Sequence, residues 1–349
     1  MALLADGRPA VPASLNGNWE GKLRKVFTQT LIELAQQDDR ILLLTGDLGF
    51  MALEPFADKF PDRFFNVGVA EQNMVGLATG LAEAGFIPFV YSIVTFATLR
   101  PYEFFRNGPV LHHLPVRLIG IGGGFEYGSA GPTHHGLEDV GVMRLQPGLT
   151  VITPADPPQA RTAFQETWDL PGPIYYRLSK DDTLLVPELA GRFELGKADL
   201  IAGGPDLLFI TMGNITAEVM AAARLLAEQG IRSSVLAVST VSPAPVRELV
   251  EALGRFSLAI SVEAHYKTGG LGSLVAETIA ENGLNCRLVR CGVGKSQEGL
   301  SGSQNYLYRV HGLDIQSLAE TARQALAANS VPGETASTGT GINGEVRTF

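Results

Sequence analysis

Apolar positions along this chain follow two spacings in turn. Within residues 23–37 they fall at Leu23, Phe27, Leu31 and Leu34, the three-and-four spacing of one helix face. Ile41-Leu42-Leu43-Leu44 is then apolar without a break and runs into Thr45-Gly46-Asp47. A short unbroken apolar run of this kind predicts a strand buried on both faces, as in a parallel sheet. The pattern repeats. Strands are predicted at 64–68, 88–91, 116–121, 150–152 and 174–178, with helices at 70–83 (closed by Gly85), at 100–107, and from Pro154-Ala155-Asp156 to Trp168.

After Pro187-Glu188-Leu189-Ala190-Gly191, which reads as a linker, a second unit begins. Its strands are expected at 207–211, 234–238, 258–262 and 286–290, and its helices at 215–229, 244–253, 272–282 and 315–327. Alternating strands and helices imply an α/β chain of two domains, each a mainly parallel sheet covered by helices. The expected division is a flexible arm at 1–17, domains at 18–187 and 195–328, and a disordered Gly/Ser/Thr-rich tail at 329–349. Sites in such sheets lie at the carboxyl ends of strands. Asp47, Glu71, Phe96, the 122–135 loop and Arg177 all fall at or just past predicted strand ends.

Composition narrows the function. The chain has 349 residues, 45% of them hydrophobic and 18% charged, with 40 Gly, which suits two Gly-rich domains with full cores. A net charge of −9 offers no field for nucleic acid or anionic lipid, so both are discounted as partners. An anionic substrate then depends on a few local cations. The two cysteines, Cys286 and Cys291, form neither a CxxC pair nor a disulfide framework and fit a reduced, cytoplasmic protein. The first residues lack the basic region of a signal peptide, and no apolar run reaches membrane-spanning length.

The chemistry centres on Asn66-Val67-Gly68-Val69-Ala70-Glu71-Gln72-Asn73-Met74-Val75-Gly76-Leu77-Ala78-Thr79-Gly80-Leu81-Ala82. Alone, a glutamate in the first turn of a helix only complements the helix dipole. Its neighbours Val69, Ala70, Met74 and Val75 offer it no partner. The whole segment, however, resembles the transketolase family, which carries a Gly-x-x-Glu run and then, after eight intervening residues, Gly-(Leu/Met/Ile)-Ala. The resemblance spans about residues 20–328 and matches the back half of a full-length member: a pyrimidine-binding domain, then the transketolase C-terminal domain.

The resemblance implies that Glu71 hydrogen-bonds the aminopyrimidine of thiamine diphosphate and favours the tautomer that takes the thiazolium proton. That role calls for an apolar pocket, where burial favours a neutral carboxyl. Phe96, in Val94-Thr95-Phe96-Ala97, matches the ring that stacks on the pyrimidine. Without Glu71 upstream it would read as core packing. Tyr91, Arg100 and Asp47 are further cofactor-side candidates, Asp47 matching a position at the subunit interface.

In Gly131-Pro132-Thr133-His134-His135-Gly136-Leu137-Glu138-Asp139, His134 takes the place of the histidine that handles sugar hydroxyls, with His135 beside it. Arg177 and Lys180 match positions that bind a substrate phosphate, and His265 is placed near the entrance. In Thr268-Gly269-Gly270-Leu271-Gly272 the glycines opening a helix suit phosphate, but the family binds no diphosphate there, so a structural role is expected. No third ligand at zinc spacing accompanies the histidine pair, and no metal site is expected on this chain.

Two departures fall on the substrate side. Ala130 stands where family members have Asp, and Gly122-Gly123-Gly124 where sugar-phosphate members keep His or Arg. The diphosphate and Mg²⁺ half is missing: Gly46-Asp47-Leu48 with Asn66 or Asn73 does not make the Gly-Asp-Gly and spaced Asn set. Either the chain is a subunit of a split enzyme or it is a piece of a longer one, and the Met1 arm favours the split. The expected assembly is α₂β₂ with an N-terminal, diphosphate-binding transketolase subunit that supplies the Mg²⁺ ligands. The expected reaction moves a two-carbon ketol unit from a ketose, free or phosphorylated, to an aldehyde. The alternatives are decarboxylating condensation of a 2-oxo acid with an aldehyde, as in deoxyxylulose phosphate synthase, and a non-catalytic scaffold.

Overall fold

In the computed structural model, residues 23–180, 183–295 and 299–330 are described. The arm expected at 1–17 and residues 331–349 of the expected tail lie outside them.

The unbroken apolar runs form central strands. In β1 (Ile41–Thr45) every residue is buried. Leu42 and Leu44 enter the core cluster on one face of the sheet and Ile41 and Leu43 the cluster on the other, as the strand period of two dictates. The first unit adds β2 (Phe64–Asn66), β3 (Ile87–Ile93), β4 (Arg117–Ile121), β5 (Thr150–Ile152) and β6 (Ile174–Leu178). Its helices are α1 (Leu23–Ala35), α2 (Glu54–Lys59), α3 (Glu71–Glu83), α4 (Val94–Thr98), α5 (Tyr102–Phe105), α6 (Asp139–Arg144) and α7 (Pro157–Thr167). The Asp156 carboxylate caps α7 by accepting from the Gln159 N–H, with prolines in its first turn.

The second unit holds β7 (Ala198–Ala202), β8 (Leu207–Thr211), β9 (Ser233–Val238), β10 (Thr240–Ser242), β11 (Leu258–Tyr266) and β12 (Arg287–Val293). Its helices are α8 (Thr216–Glu228), α9 (Val246–Leu253), α10 (Leu271–Glu281), α11 (Gln304–His311) and α12 (Ile315–Ser330). Helix α12 carries the chain past the expected start of the tail, and Asn329 donates to Ser257 Oγ at 3.0 Å.

The sheets have seven and five strands, ordered β10-β5-β6-β4-β3-β1-β2 and β12-β11-β8-β9-β7. All pairings are parallel except β7 with β9 and β10 with β5. Strand β10 therefore belongs by sequence to the second unit and by pairing to the first sheet. The 187–191 segment is no loose tether either: Leu189 is fully buried, and the adjoining Val186 N–H donates to Asp156 at 3.0 Å.

Buried polar side chains sew the units together. Arg177 on β6 donates from Nε to Asp139 Oδ2 at 2.8 Å and from Nη2 to the carbonyls of Gly136 and Ala264 at 2.9 Å each. Both partners of the ion pair are almost wholly buried. Glu126 accepts from the Lys180 N–H at 2.6 Å, from Asn214 Nδ2 at 2.7 Å and from the Ser179 hydroxyl.

Burial pushes the Glu126 carboxyl up from 4.5 to about 6, against the pull of the Ser179, Lys180 and Asn214 donors and of the nearby Arg177. The folded chain thus holds a proton that the unfolded chain releases from about pH 4.5 upward. The stability this proton confers is full below that pH and is lost as pH rises through 6. The melting-temperature difference between wild type and Glu126→Gln is expected to move in favour of Gln across this window. A pH-independent difference would contradict it.

Candidate functional site

Helix α3 begins at Glu71, directly after Ala70, whose side chain provides no cap. The preceding turn is fixed by Asn66 Oδ1, which accepts from the Asp47 N–H at 2.9 Å and the Gly68 N–H at 3.1 Å. Gly68 has φ +74°, a backbone conformation that glycine takes without strain. Gly46 approaches so closely that a Cβ there would sit 3.2 Å from the Gly68 carbonyl and 3.8 Å from Glu71 Oε1. The result is a carboxylate 3% exposed, at a helix N-terminus and the carboxyl end of the sheet.

Around Glu71 opens a cleft of about 300 Å³ lined by Val69, Ala70, Gln72 and Arg100. The Ser92 hydroxyl lies 3.3 Å from Glu71 Oε1, and Arg100 Nη1 lies 2.9 Å from both carboxylate oxygens. The Arg100 guanidinium carbon also sits 3.8 Å from the centroid of Phe96. Phe96 meets the His134 ring edge-on at 5.0 Å, and His134 Nδ1 is 2.9 Å from the Thr133 hydroxyl. Glu71, Phe96, Arg100 and His134, drawn from three separate stretches of sequence, thus form one continuous wall.

Other expected site residues lie elsewhere. Tyr91 points to the opposite face of β3 from Ser92, is 2% exposed and stacks on Phe27 at 5.5 Å, so it does not reach the cleft. His135 turns inward against Phe125, at 5.1 Å, while its neighbour His134 packs on Phe96; burial pushes the His135 pKa down. Arg177, expected on a substrate phosphate, is 4% exposed and committed to Asp139 and two carbonyls. His265, expected at the entrance, is 1% exposed, with Nε2 accepting from the Gly141 N–H at 3.2 Å. Both are pieces of the domain junction, Arg177 on β6 bonding the Ala264 carbonyl of the second unit and His265 on β11 bonding the Gly141 N–H of the first.

Lys180 remains exposed, with Nζ 4.6 Å from the centroid of Tyr127, a ring 6.3 Å from His134. Asp47 is exposed and lines a separate hollow of about 220 Å³ with Phe50, Leu53, Phe64 and Asn66. Asn66, set aside as a metal ligand on its sequence, acts as the clasp of the turn.

The glycines also find their reasons. A side chain at Gly122 would meet Tyr127 Cε2 at 2.2 Å, and one at Gly123 would meet Arg177 Cζ at 2.5 Å. The Gly269-Gly270 turn and the start of α10 close on an internal carboxyl group: Glu263 accepts from the Leu271 and Gly272 N–H groups at 2.8 Å each. That helix terminus is occupied by the protein's own side chain. Glu126, Asp139 and Asn214 carried no local sequence signal, because each partner lies dozens of residues away.

The site thus sets a buried acid, an arginine, a half-buried aromatic ring and a histidine in a row at the carboxyl end of the parallel sheet of an α/β protein. Residues 21–184 match the pyrimidine-binding domain of transketolase and residues 196–318 its C-terminal domain, and the chain belongs to the transketolase family. The putative transketolase C-terminal section of Methanocaldococcus jannaschii is 37% identical over 309 residues, covering 88% of this chain and 96% of that protein. One of the subunits of the apulose-4-phosphate transketolase of Phocaeicola vulgatus is 34% identical over 304 residues, 86% and 96% of the two chains. A solved split-gene transketolase, an inactive β4 tetramer, superposes with a TM-score of 0.77 at 31% identity, over 88% of this chain and 98% of that one.

The family implies thiamine diphosphate, and the cleft fits its pyrimidine half: a buried acceptor beside an aromatic face. Among the described residues no group of three or more His, Cys, Asp or Glu is gathered as a metal ion would need, and no helix is long and apolar enough to cross a membrane.

Proposed function

We propose that this chain is the catalytic-acid half of a split transketolase that moves a two-carbon ketol unit from a ketose, free or phosphorylated, to an aldehyde. A separate N-terminal chain completes the site with the diphosphate and Mg²⁺ ligands, in an α₂β₂ assembly. The observation that carries this reading is the Glu71 carboxylate, buried yet lining the cleft, with Phe96 and then His134 following it through Arg100.

Glu71 would accept the hydrogen bond of the pyrimidine ring and exchange a proton with it, Ser92 holding one oxygen in place. Phe96 would offer its face to the ring. His134, braced by Thr133, would donate to or accept from a substrate hydroxyl, and Lys180 would attract an anionic group on the outer rim. Thiamine diphosphate, when bound, supplies the nucleophilic carbon that carries the two-carbon unit. Asp47 would meet the partner chain near the cofactor.

The test mixes the chain with a diphosphate-binding transketolase subunit, the cofactor and Mg²⁺, and follows ketol transfer. Activity only in the mixture supports the proposal; full activity of either chain alone would sink it. Phe96→Leu is expected to raise the cofactor concentration for half-saturation about three- to tenfold, as loss of an aromatic contact implies, with a smaller change in turnover. An unchanged value would remove Phe96 from the cofactor.

The second reading, decarboxylating condensation of a 2-oxo acid, is favoured by Gly122 and Ala130, which leave the substrate side without the polar side chains of sugar-phosphate members. Release of CO₂ separates it from ketol transfer.

A further inference from the structure

A guanidinium lying across both oxygens of a carboxylate covers the edge that a ring nitrogen would approach. In this chain Arg100 holds Glu71 in that way, at 2.9 Å to each oxygen. The same guanidinium lies 3.8 Å from the Phe96 centroid, on the ring face the proposed pyrimidine needs. One side chain therefore occupies both contacts of the heterocycle, the hydrogen-bonding edge and the stacking face. A guanidinium is itself flat, with N–H donors along its edge, so it imitates an aminopyrimidine in shape and bonding.

The two partners differ in freedom. The Glu71 side chain is 2% exposed and is tethered to Ser92 as well. The Arg100 side chain is 43% exposed and stands on the turn between α4 and Pro101. Glu71 is fixed by its surroundings, whereas Arg100 can turn into solvent and regain hydration.

We infer that Arg100 is a displaceable positioning residue. In the unassembled chain it aims the Glu71 carboxylate into the cleft and covers Phe96, and it must swing aside when the pyrimidine ring enters. The inference rests on the proposed cofactor reading and adds to it a competition. The closed state lowers the apparent affinity for the cofactor by the fraction of chains whose cleft is free.

Two measurements test it. In the free chain, thermal melts of Glu71→Gln, Arg100→Met and the double variant form a cycle. The single effects are expected to be non-additive, the double variant being no less stable than the weaker single one. Additive effects would show that the pair does not hold in solution.

In the enzyme reconstituted with the diphosphate-binding chain and Mg²⁺, Arg100→Met is expected to lower the half-saturating concentration of thiamine diphosphate about tenfold. Arg100→Lys, which keeps the charge without the flat fork, should fall between Met and wild type. A half-saturating concentration that is unchanged or higher in Arg100→Met would overturn displacement, and a higher one would make Arg100 a direct cofactor contact. If Glu71→Gln is as active as wild type, the cofactor reading itself fails. If Glu71→Gln is inactive and Arg100→Met binds no more tightly, only the competition fails.

Discussion

Glu71→Gln in the reconstituted enzyme is expected to cut turnover by about 10²- to 10⁴-fold, the range for removing a group that shares a proton with the reacting system. Glutamine fills the same volume and keeps the Ser92 contact, but its amide cannot take up and return a proton. The variant also loses the pairing with Arg100. With the arginine half-exposed, that loss costs on the order of 1 kcal/mol or less of stability. Turnover and melting temperature should therefore separate, the first collapsing while the second moves by a few degrees. A variant within about tenfold of wild type, with its fold intact, would remove Glu71 from proton sharing.

The largest effect on stability is expected at the other buried ion pair. Arg177→Met leaves Asp139 charged inside the domain junction and removes the donors to the Gly136 and Ala264 carbonyls. Breaking one partner of a buried pair costs about 3–5 kcal/mol, a fall of roughly 4–7 °C in melting temperature for a chain of this size. Asp139→Asn combined with Arg177→Met should recover part of it, because no lone charge then remains. The junction also carries the 131–136 loop, so the folded fraction of Arg177→Met should show disturbed His134 chemistry. A melting temperature equal to wild type would mean that Arg177 is free after all, and would revive a substrate-phosphate role for it.

The sequence was most legible where burial is two-sided. Ile41–Thr45 and Ile174–Leu178 each form an unbroken buried strand because both faces of the sheet are covered. Short segments whose fate depends on distant neighbours escaped. The β-branched run at 93–95 suits a strand, yet the chain turns into α4 at Val94 to place Phe96. Strand β7 is an antiparallel edge with a half-open burial pattern, which local periodicity does not mark.

At the site, Glu71, Phe96 and His134 were singled out through their family pattern, and they lie along one wall with Arg100 between the first two. Arg177 and His265 fit the same pattern, but sequence does not show how the 136–141 segment of the first unit and strand β11 of the second meet around them. The Arg100–Glu71 pair spans 29 residues and exists only because α4 brings the following turn back across the cleft.

Strand β10 sets a final constraint. Two linked lobes commonly admit a substrate by hinging apart, but here Thr240–Ser242 is stitched to β5 by main-chain pairing, and Ser242 Oγ donates to the Leu149 carbonyl at 2.7 Å. Any jaw-like motion would have to peel an edge from the seven-stranded sheet. The two lobes therefore move as one block, and what can open the cleft is the side chain at its lip, Arg100.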